Sequence, residues 1–194
     1  DLLSLLDLKK EDFEHLFKRA IDLKERYGKG IFDKLLAGKT LGLIFDKKST
    51  RTRVAFETAM IQLGGHPIYM STQDTQISRN EPAKDTARVL SRYIDCLAMR
   101  TFDHTLVEEF ALSSTIPVIN ALTDSFHPCQ ILSDIMTVIE HKGGYENIRV
   151  AWVGDGNNVV NSWINAASVL GFELIVACPD NYMVKSEILK AASI

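Results

Sequence analysis

Hydrophobic positions in this chain follow two rhythms. In some stretches apolar residues recur every three or four positions, as on one face of a helix. In others they crowd into short runs, as in strands buried on both sides. Phe13, Leu16, Phe17, Ala20 and Ile21 predict a helix over Lys9–Tyr27, which Gly28 and Gly30 stop. The run TLGLIFD (Thr40–Asp46) predicts a buried strand. A helix over Arg51–Leu63 follows, with Val54, Ala55, Phe56, Ala59, Met60 and Leu63 facing inward and Gly64-Gly65 ending it.

Further along, Pro67–Met70 reads as a strand. Ser71–Pro82 is polar, carries neither rhythm and reads as a long loop, a kind of segment that is often functional. Pro82 suits the first turn of a helix reaching Tyr93. DCLAMR, PVINAL, IRVAWVG and ELIVACP read as strands. HTLVEEFALSS, His127–His141 and Asn158–Leu170 read as helices, and a last helix begins near the end. In His127–His141 the apolar stripe is Ile131, Leu132, Ile135, Met136 and Ile139.

Strict alternation of strand and helix predicts an α/β fold, a parallel sheet with helices on both faces. The break at Lys142-Gly143-Gly144 divides a first domain, 1–142, from a second unit, 145–194. Two strands are too few to close a doubly wound sheet. The expectation is therefore an incomplete second domain, belonging to a longer enzyme or a truncated product.

Composition narrows the function classes. Of the 194 residues 46% are hydrophobic and 24% charged, the balance of a globular chain and not of a disordered one. A net charge of −3 argues against whole-surface attraction to nucleic acid, so any anion site must be local. No apolar run approaches the roughly 20 residues that span a bilayer. The acidic N-terminal stretch, with apolar residues at helical intervals, does not read as a signal peptide. Cys96, Cys129 and Cys178 are far apart and form no CxxC pair. They read as reduced thiols in a cytoplasmic protein, not as a disulfide frame or a metal site.

Polar clusters fall at the carboxyl ends of the expected strands, where open parallel sheets bind ligands. They are Ser49-Thr50-Arg51-Thr52-Arg53, Arg100-Thr101, His127-Pro128-Cys129-Gln130 and Asp155-Gly156-Asn157-Asn158. The first has the chemistry of a phosphate site, combining a helix start, hydroxyls and an arginine fork. Taken alone it equally fits a capped helix whose arginines face water. Arg100 alone fits a surface charge, and His127 alone a structural histidine or a cap. Asp155–Asn158 fits a simple turn. Gly154-Asp155-Gly156 begins a dinucleotide fingerprint whose third glycine position holds Val159, so that motif is incomplete.

Taken in order, FDKKSTRTRVAFE, KDTARVLSRY, MRTFDH, HPCQILSD and GDGNNVVNS resemble the aspartate/ornithine carbamoyltransferase family over essentially the whole chain. Ser-Thr-Arg-Thr-Arg with His-Pro-x-Gln is specific to transcarbamoylases as a group, and Asp-Gly-Asn-Asn points to their ornithine members. The resemblance implies a carbamoyl-phosphate domain followed by the start of a second, Rossmann-like domain. It implies carbamoyl transfer from carbamoyl phosphate to the δ-amine of L-ornithine, without metal or organic cofactor. Ser49, Thr50, Arg51 and Thr52 would hold the phosphate. Thr52, Arg100 and His127 would surround the carbonyl oxygen as the catalytic set. Gln130 would take the carbamoyl nitrogen and Asn158 the amino-acid end of ornithine, while Arg53 would brace the loop.

The resemblance further implies a homotrimer or a multiple of trimers, with Gln76 of the loop reaching a neighbouring subunit's site. The family's later Asp-x-x-x-Ser-Met and His-Cys-Leu-Pro motifs are absent, and neither Cys129 nor Cys178 sits in a matching motif. An acceptor other than ornithine, such as putrescine or aspartate, stays open, as does a non-catalytic carbamoyl-phosphate-binding module.

Overall fold

β1 (Thr40–Phe45) lies inside its sheet, and its sequence explains why. Five of its six residues are buried, on both faces, which suits a strand covered by helices above and below. In the computed structural model, which describes residues 1–71 and 81–192, β1 pairs in parallel with β2 (His66–Met70) and with β3 (Cys96–Arg100). β4 (Val118–Leu122) joins β3, also in parallel, giving the order β2-β1-β3-β4. The chain therefore leaves β1 toward one edge and returns on its other side. That reversal between β1 and β3 is a topological switch point, where carboxyl-end loops part to leave a crevice.

Period-two alternation assigns the helices to faces. Leu41, Leu43, Phe45, Ala98 and Ala121 point toward α2 (Arg51–Gln62) and its buried Met60. Ile44, Leu97, Met99 and Val118 point the other way, toward α3 (Ala83–Leu90) and α4 (His104–Ser113), where Ala87, Val107 and Phe110 meet them. Helices thus cover both faces, as the alternation predicts.

Beyond the sheet run α1 (Lys10–Gly28), α5 (Pro128–Lys142) and, in the second unit, α6 (Asn158–Leu170) between β5 (Arg149–Val153) and β6 (Glu173–Ala177). β5 and β6 form a separate parallel pair, and α7 (Ser186–Ala191) follows. One core joins these parts: Phe13 and Phe17 of α1, Ile131 and Ile135 of α5, and Trp163 and Leu170 of α6. Pro128 occupies the first turn of α5, and Gly143 ends that helix in the left-handed region, φ 83°.

Three details differ from the sequence expectation. In α2, Val54 and Ile61 are 54% and 65% exposed, and Ala55 and Ala59 are exposed too. The apolar run there is wider than one helix face, and the sheet takes only the side bearing Met60, with Phe56 and Leu63 half-buried. α3 stops at Leu90, and 91–93 form a turn in which Ser91 Oγ donates to the Ala87 carbonyl at 2.7 Å. Ahead of α1, where the apolar residues are spaced as in a helix, the first eight residues form no α-helix. Leu2 pairs with Ile119 at the β4 edge, and Leu5 is fully buried in a 3-10 turn capped by Ser4 and Asp7. This segment covers an otherwise open sheet edge. Most of the expected loop at 71–82 lies outside the described residues, and so does Gln76.

Candidate active site

Two loops and a strand end converge on the crevice between β1 and β3. A cleft of about 790 Å³ there is lined by Lys48, Ser49, Thr50, Arg51 and Thr52 after β1, Arg100 at the end of β3, and His127 and Gln130 at the start of α5. Seven expected site residues, from Ser49 to Gln130, are therefore brought together from three separate segments of the chain. Arg53 is not among the lining residues. Its Nε donates to Glu57 Oε1 at 2.8 Å and its guanidinium lies 3.5 Å from the Tyr69 ring centroid, bracing α2 against β2.

Helix starts in this fold are treated unequally. Asp103 caps α4, accepting from Thr105 N at 2.9 Å. Asn157 caps α6, accepting from Val159 N and Val160 N at 2.9 and 3.3 Å. Thr50, at the cap position of α2, has helical dihedrals and makes no side-chain cap bond. His127, at the cap position of α5, makes none either. The starts of α1, α3 and α7 lack a side-chain cap bond too, so what sets α2 and α5 apart is that they line the cleft. At α2 the first N–H groups remain available to a ligand, with the positive end of the helix dipole behind them, whereas α5 opens on Pro128, which has no N–H.

Electrostatics follow the same logic. None of the described residues lining the cleft is acidic. Among the described residues, Arg51 and Arg100 have no carboxylate within ion-pair distance and buried Arg100 Nε has no hydrogen-bond partner. Burial, and then the nearby Arg51 charge, pull the Arg100 guanidinium below its ordinary value. Burial, reinforced by the Arg100 charge, brings His127 down to about 4, so its imidazole is neutral near pH 7. Its Nδ1 is also buried without a partner. Unpaired cationic and donor groups gathered this way describe a site built for an anion. Cys129 also lines the cleft, yet burial pushes its thiol up to about 12. It therefore stays protonated and is no nucleophile.

A second set of contacts fixes the turn that carries His127. Asn158 Nδ2 donates to the Thr123 carbonyl at 2.6 Å, Asn161 Nδ2 to the Ser125 carbonyl at 3.0 Å, and His127 N to Ser162 Oγ at 2.8 Å. Asn158 thus gives one amide N–H to the turn and is not among the lining residues. On the other strand end, Lys47 pairs with Asp124 and lies 4.6 Å from the Phe102 ring centroid, tying the β1 loop to the β4 loop. The Gly154-Asp155-Gly156 turn is not among the residues lining this cleft. A Cβ on Gly156 would come within 2.6 Å of Val184 N, so glycine is needed for the close crossing of residues 182–184. Sequence reasoning missed Lys48, Leu122 and Ser133 as lining residues; only Lys48 carried a signal, its place beside Ser49.

Fold and cleft together define an open parallel α/β protein with an anion site at its topological switch point. Comparison with known proteins agrees in detail. The family model described as aspartate/ornithine carbamoyltransferase, carbamoyl-P binding domain, matches residues 1–140, and its Asp/Orn binding domain counterpart matches residues 146–194. The chain belongs to the aspartate/ornithine carbamoyltransferase family.

Among its relatives, an ornithine carbamoyltransferase of Desulfotalea psychrophila is 58% identical over 98% of this chain, and one of Pelobacter propionicus is 53% identical over 98%. The ornithine carbamoyltransferase structure from Pyrococcus furiosus superposes with a TM-score of 0.96 at 47% identity, covering 99% of this chain and 61% of that one. The anabolic enzyme of Campylobacter jejuni gives 0.91 at 44% identity, covering 99% and 62%. The chain spans 63% of the length of the two curated relatives just named.

Proposed function

We propose that this chain is the carbamoyl-phosphate-binding part of an ornithine carbamoyltransferase, which moves the carbamoyl group of carbamoyl phosphate to the δ-amine of L-ornithine. L-Citrulline and phosphate are the products. The observation that carries this reading is the open start of α2 with its Arg51, gathered with Arg100 and neutral His127 in a cleft whose described lining holds no acid. The division at 142–145 into a carbamoyl-phosphate domain and the beginning of an ornithine-binding domain belongs to the same proposal.

In this reading the phosphate takes the N–H groups at the start of α2, the hydroxyls of Ser49, Thr50 and Thr52, and the Arg51 fork. The amine nitrogen attacks the carbonyl carbon. The new C–N bond forms, the bond to the phosphate oxygen breaks, phosphate leaves with the electron pair, and the proton the amine gives up ends on the departing phosphate. Nothing is oxidised or reduced. Charge grows on the carbonyl oxygen at the transition state, where Thr52, Arg100 and His127 supply donors fixed in advance. One such donor is worth roughly 3 kcal/mol of barrier. Neutral His127 contributes an N–H without a charge, and Arg100 supplies the charge. Gln130 meets the carbamoyl nitrogen, and Asn158 the amino-acid end of the acceptor. Gln76 comes from a neighbour in a homotrimer or multiple of trimers. The proposed setting is the cytoplasm, in arginine biosynthesis or the reverse direction.

Calorimetry with carbamoyl phosphate tests the first half. Product analysis of the full-length protein with ornithine, putrescine or aspartate tests the second. Absence of carbamoyl phosphate binding, or carbamoylation of another acceptor in preference to ornithine, would overturn the reading.

A further inference from the structure

Gln130 lines the cleft on the first turn of α5, and its side chain is already engaged. Its Nε2 donates to Oδ1 of Asp134, one helical turn further on, at 2.8 Å. A carboxylate accepts hydrogen bonds and does not donate them, so the amide nitrogen, not the oxygen, belongs beside Asp134. The bond leaves Oε1, an acceptor, as the end of Gln130 that is free to meet a ligand. Gln–Asp pairs at this spacing also lend a helix slight stability, which is the ordinary account of such a contact. That account does not explain an acid placed beside an anion site, where it repels every phosphate ligand.

We infer that Asp134 is a positioning residue. By holding the Gln130 amide it presents an acceptor to the cleft, so the site selects an acyl phosphate bearing an NH2 over one bearing a methyl. Carbamoyl and acetyl phosphate differ at that group alone, one offering two N–H donors and the other none. A site that aims an acceptor at the difference disfavours the methyl, because the methyl gives that acceptor no N–H to receive. Without Asp134 the amide turns freely and offers N–H groups as readily as its oxygen. The inference rests on the function proposed above, and its test separates the two.

The experiment is calorimetry on the chain with carbamoyl phosphate, acetyl phosphate and inorganic phosphate, with thermal melts to check folding. Wild type should prefer carbamoyl over acetyl phosphate by about tenfold or more. Asp134→Ala should cut that ratio by about threefold or more while inorganic phosphate binds no more weakly. Asp134→Asn should fall between, since a neutral amide accepts Gln130 in either orientation. In a Gln130→Leu background, Asp134→Ala should leave the ratio unchanged, because there is no amide left to orient. An unchanged ratio in Asp134→Ala, or an equal drop in the Gln130→Leu background, overturns the role of Asp134. Failure of wild type to bind carbamoyl phosphate at all would instead overturn the reading of the cleft.

Discussion

Arg51 and His127 stand for two ways in which single residues serve the cleft. Arg51 is exposed, close enough to Arg100 to depress it, and without a carboxylate partner among the described residues. Its fork matches phosphate oxygens two at a time, which a lysine cannot do. Arg51→Ala should weaken carbamoyl phosphate binding by about tenfold or more, a loss of about 1.4 kcal/mol, with little rescue by Arg51→Lys. Unchanged calorimetric affinity would make Arg51 a bystander. His127 makes a stability prediction with a definite sign. Its folded value of about 4 lies below its ordinary 6.5, so between these pH values the unfolded chain binds more protons. The associated stability is full above pH 6.5 and drains as pH falls toward 4, by on the order of 3 kcal/mol. Denaturant melts across that window should show His127→Gln losing less stability than wild type; parallel curves would contradict the assignment.

Helix starts are where stability and function part company. α6 fills its own start with Asn157, whereas α2 holds Thr50 in helical geometry and leaves its first N–H groups open. A negative charge near a helix start is worth about 0.3–1 kcal/mol, more so here beside two unpaired arginines. Thr50→Asp should therefore raise the melting temperature by about 1–4 °C while abolishing phosphate binding, because the new carboxylate takes the anion's place. A variant that melts higher and still binds phosphate would show that the α2 start is not the site.

Across the whole molecule, the core shared by α1, α5 and α6 makes the second unit a support for the first. Trp163 packs edge-on to Phe172 at 5.9 Å and belongs to the same cluster as Ile131 and Ile135 of α5, the helix that carries Gln130. Ser162 and Asn161 reach back to the turn holding His127. Both tryptophans, Trp152 and Trp163, lie in the second unit, so their fluorescence reports that unit while phosphate binding reports the first. Loss of fluorescence and loss of binding should coincide in urea, as one cooperative transition. Binding that survives after the tryptophans have unfolded would show two independent units.

Much of this protein follows from local sequence alone. α6 runs over the residues its periodicity marks, and β1, β3, β4, β5 and β6 coincide with apolar runs; for β1, β3 and β4 the reason is burial on both faces, while β5 and β6 leave alternate residues exposed. Residue chemistry at the strand ends, Ser49 to Arg53 with Arg100 and His127, also pointed to an anion. Local pattern does not contain the strand order, and that order decides the site. Only the return of the chain across β1 sets the Ser49–Thr52 loop beside Arg100. Nor does it contain the choice between an open and a capped helix start, since Thr50 and Asn157 are both good caps by type and differ in backbone dihedrals set by the loops before them. The depressed value of His127 is likewise a product of burial and of Arg100, twenty-seven residues away in sequence. Periodicity is a property of neighbours along the chain and determines elements. A site is a property of neighbours in space, so its charge balance and its open donors exist only once the sheet has assembled.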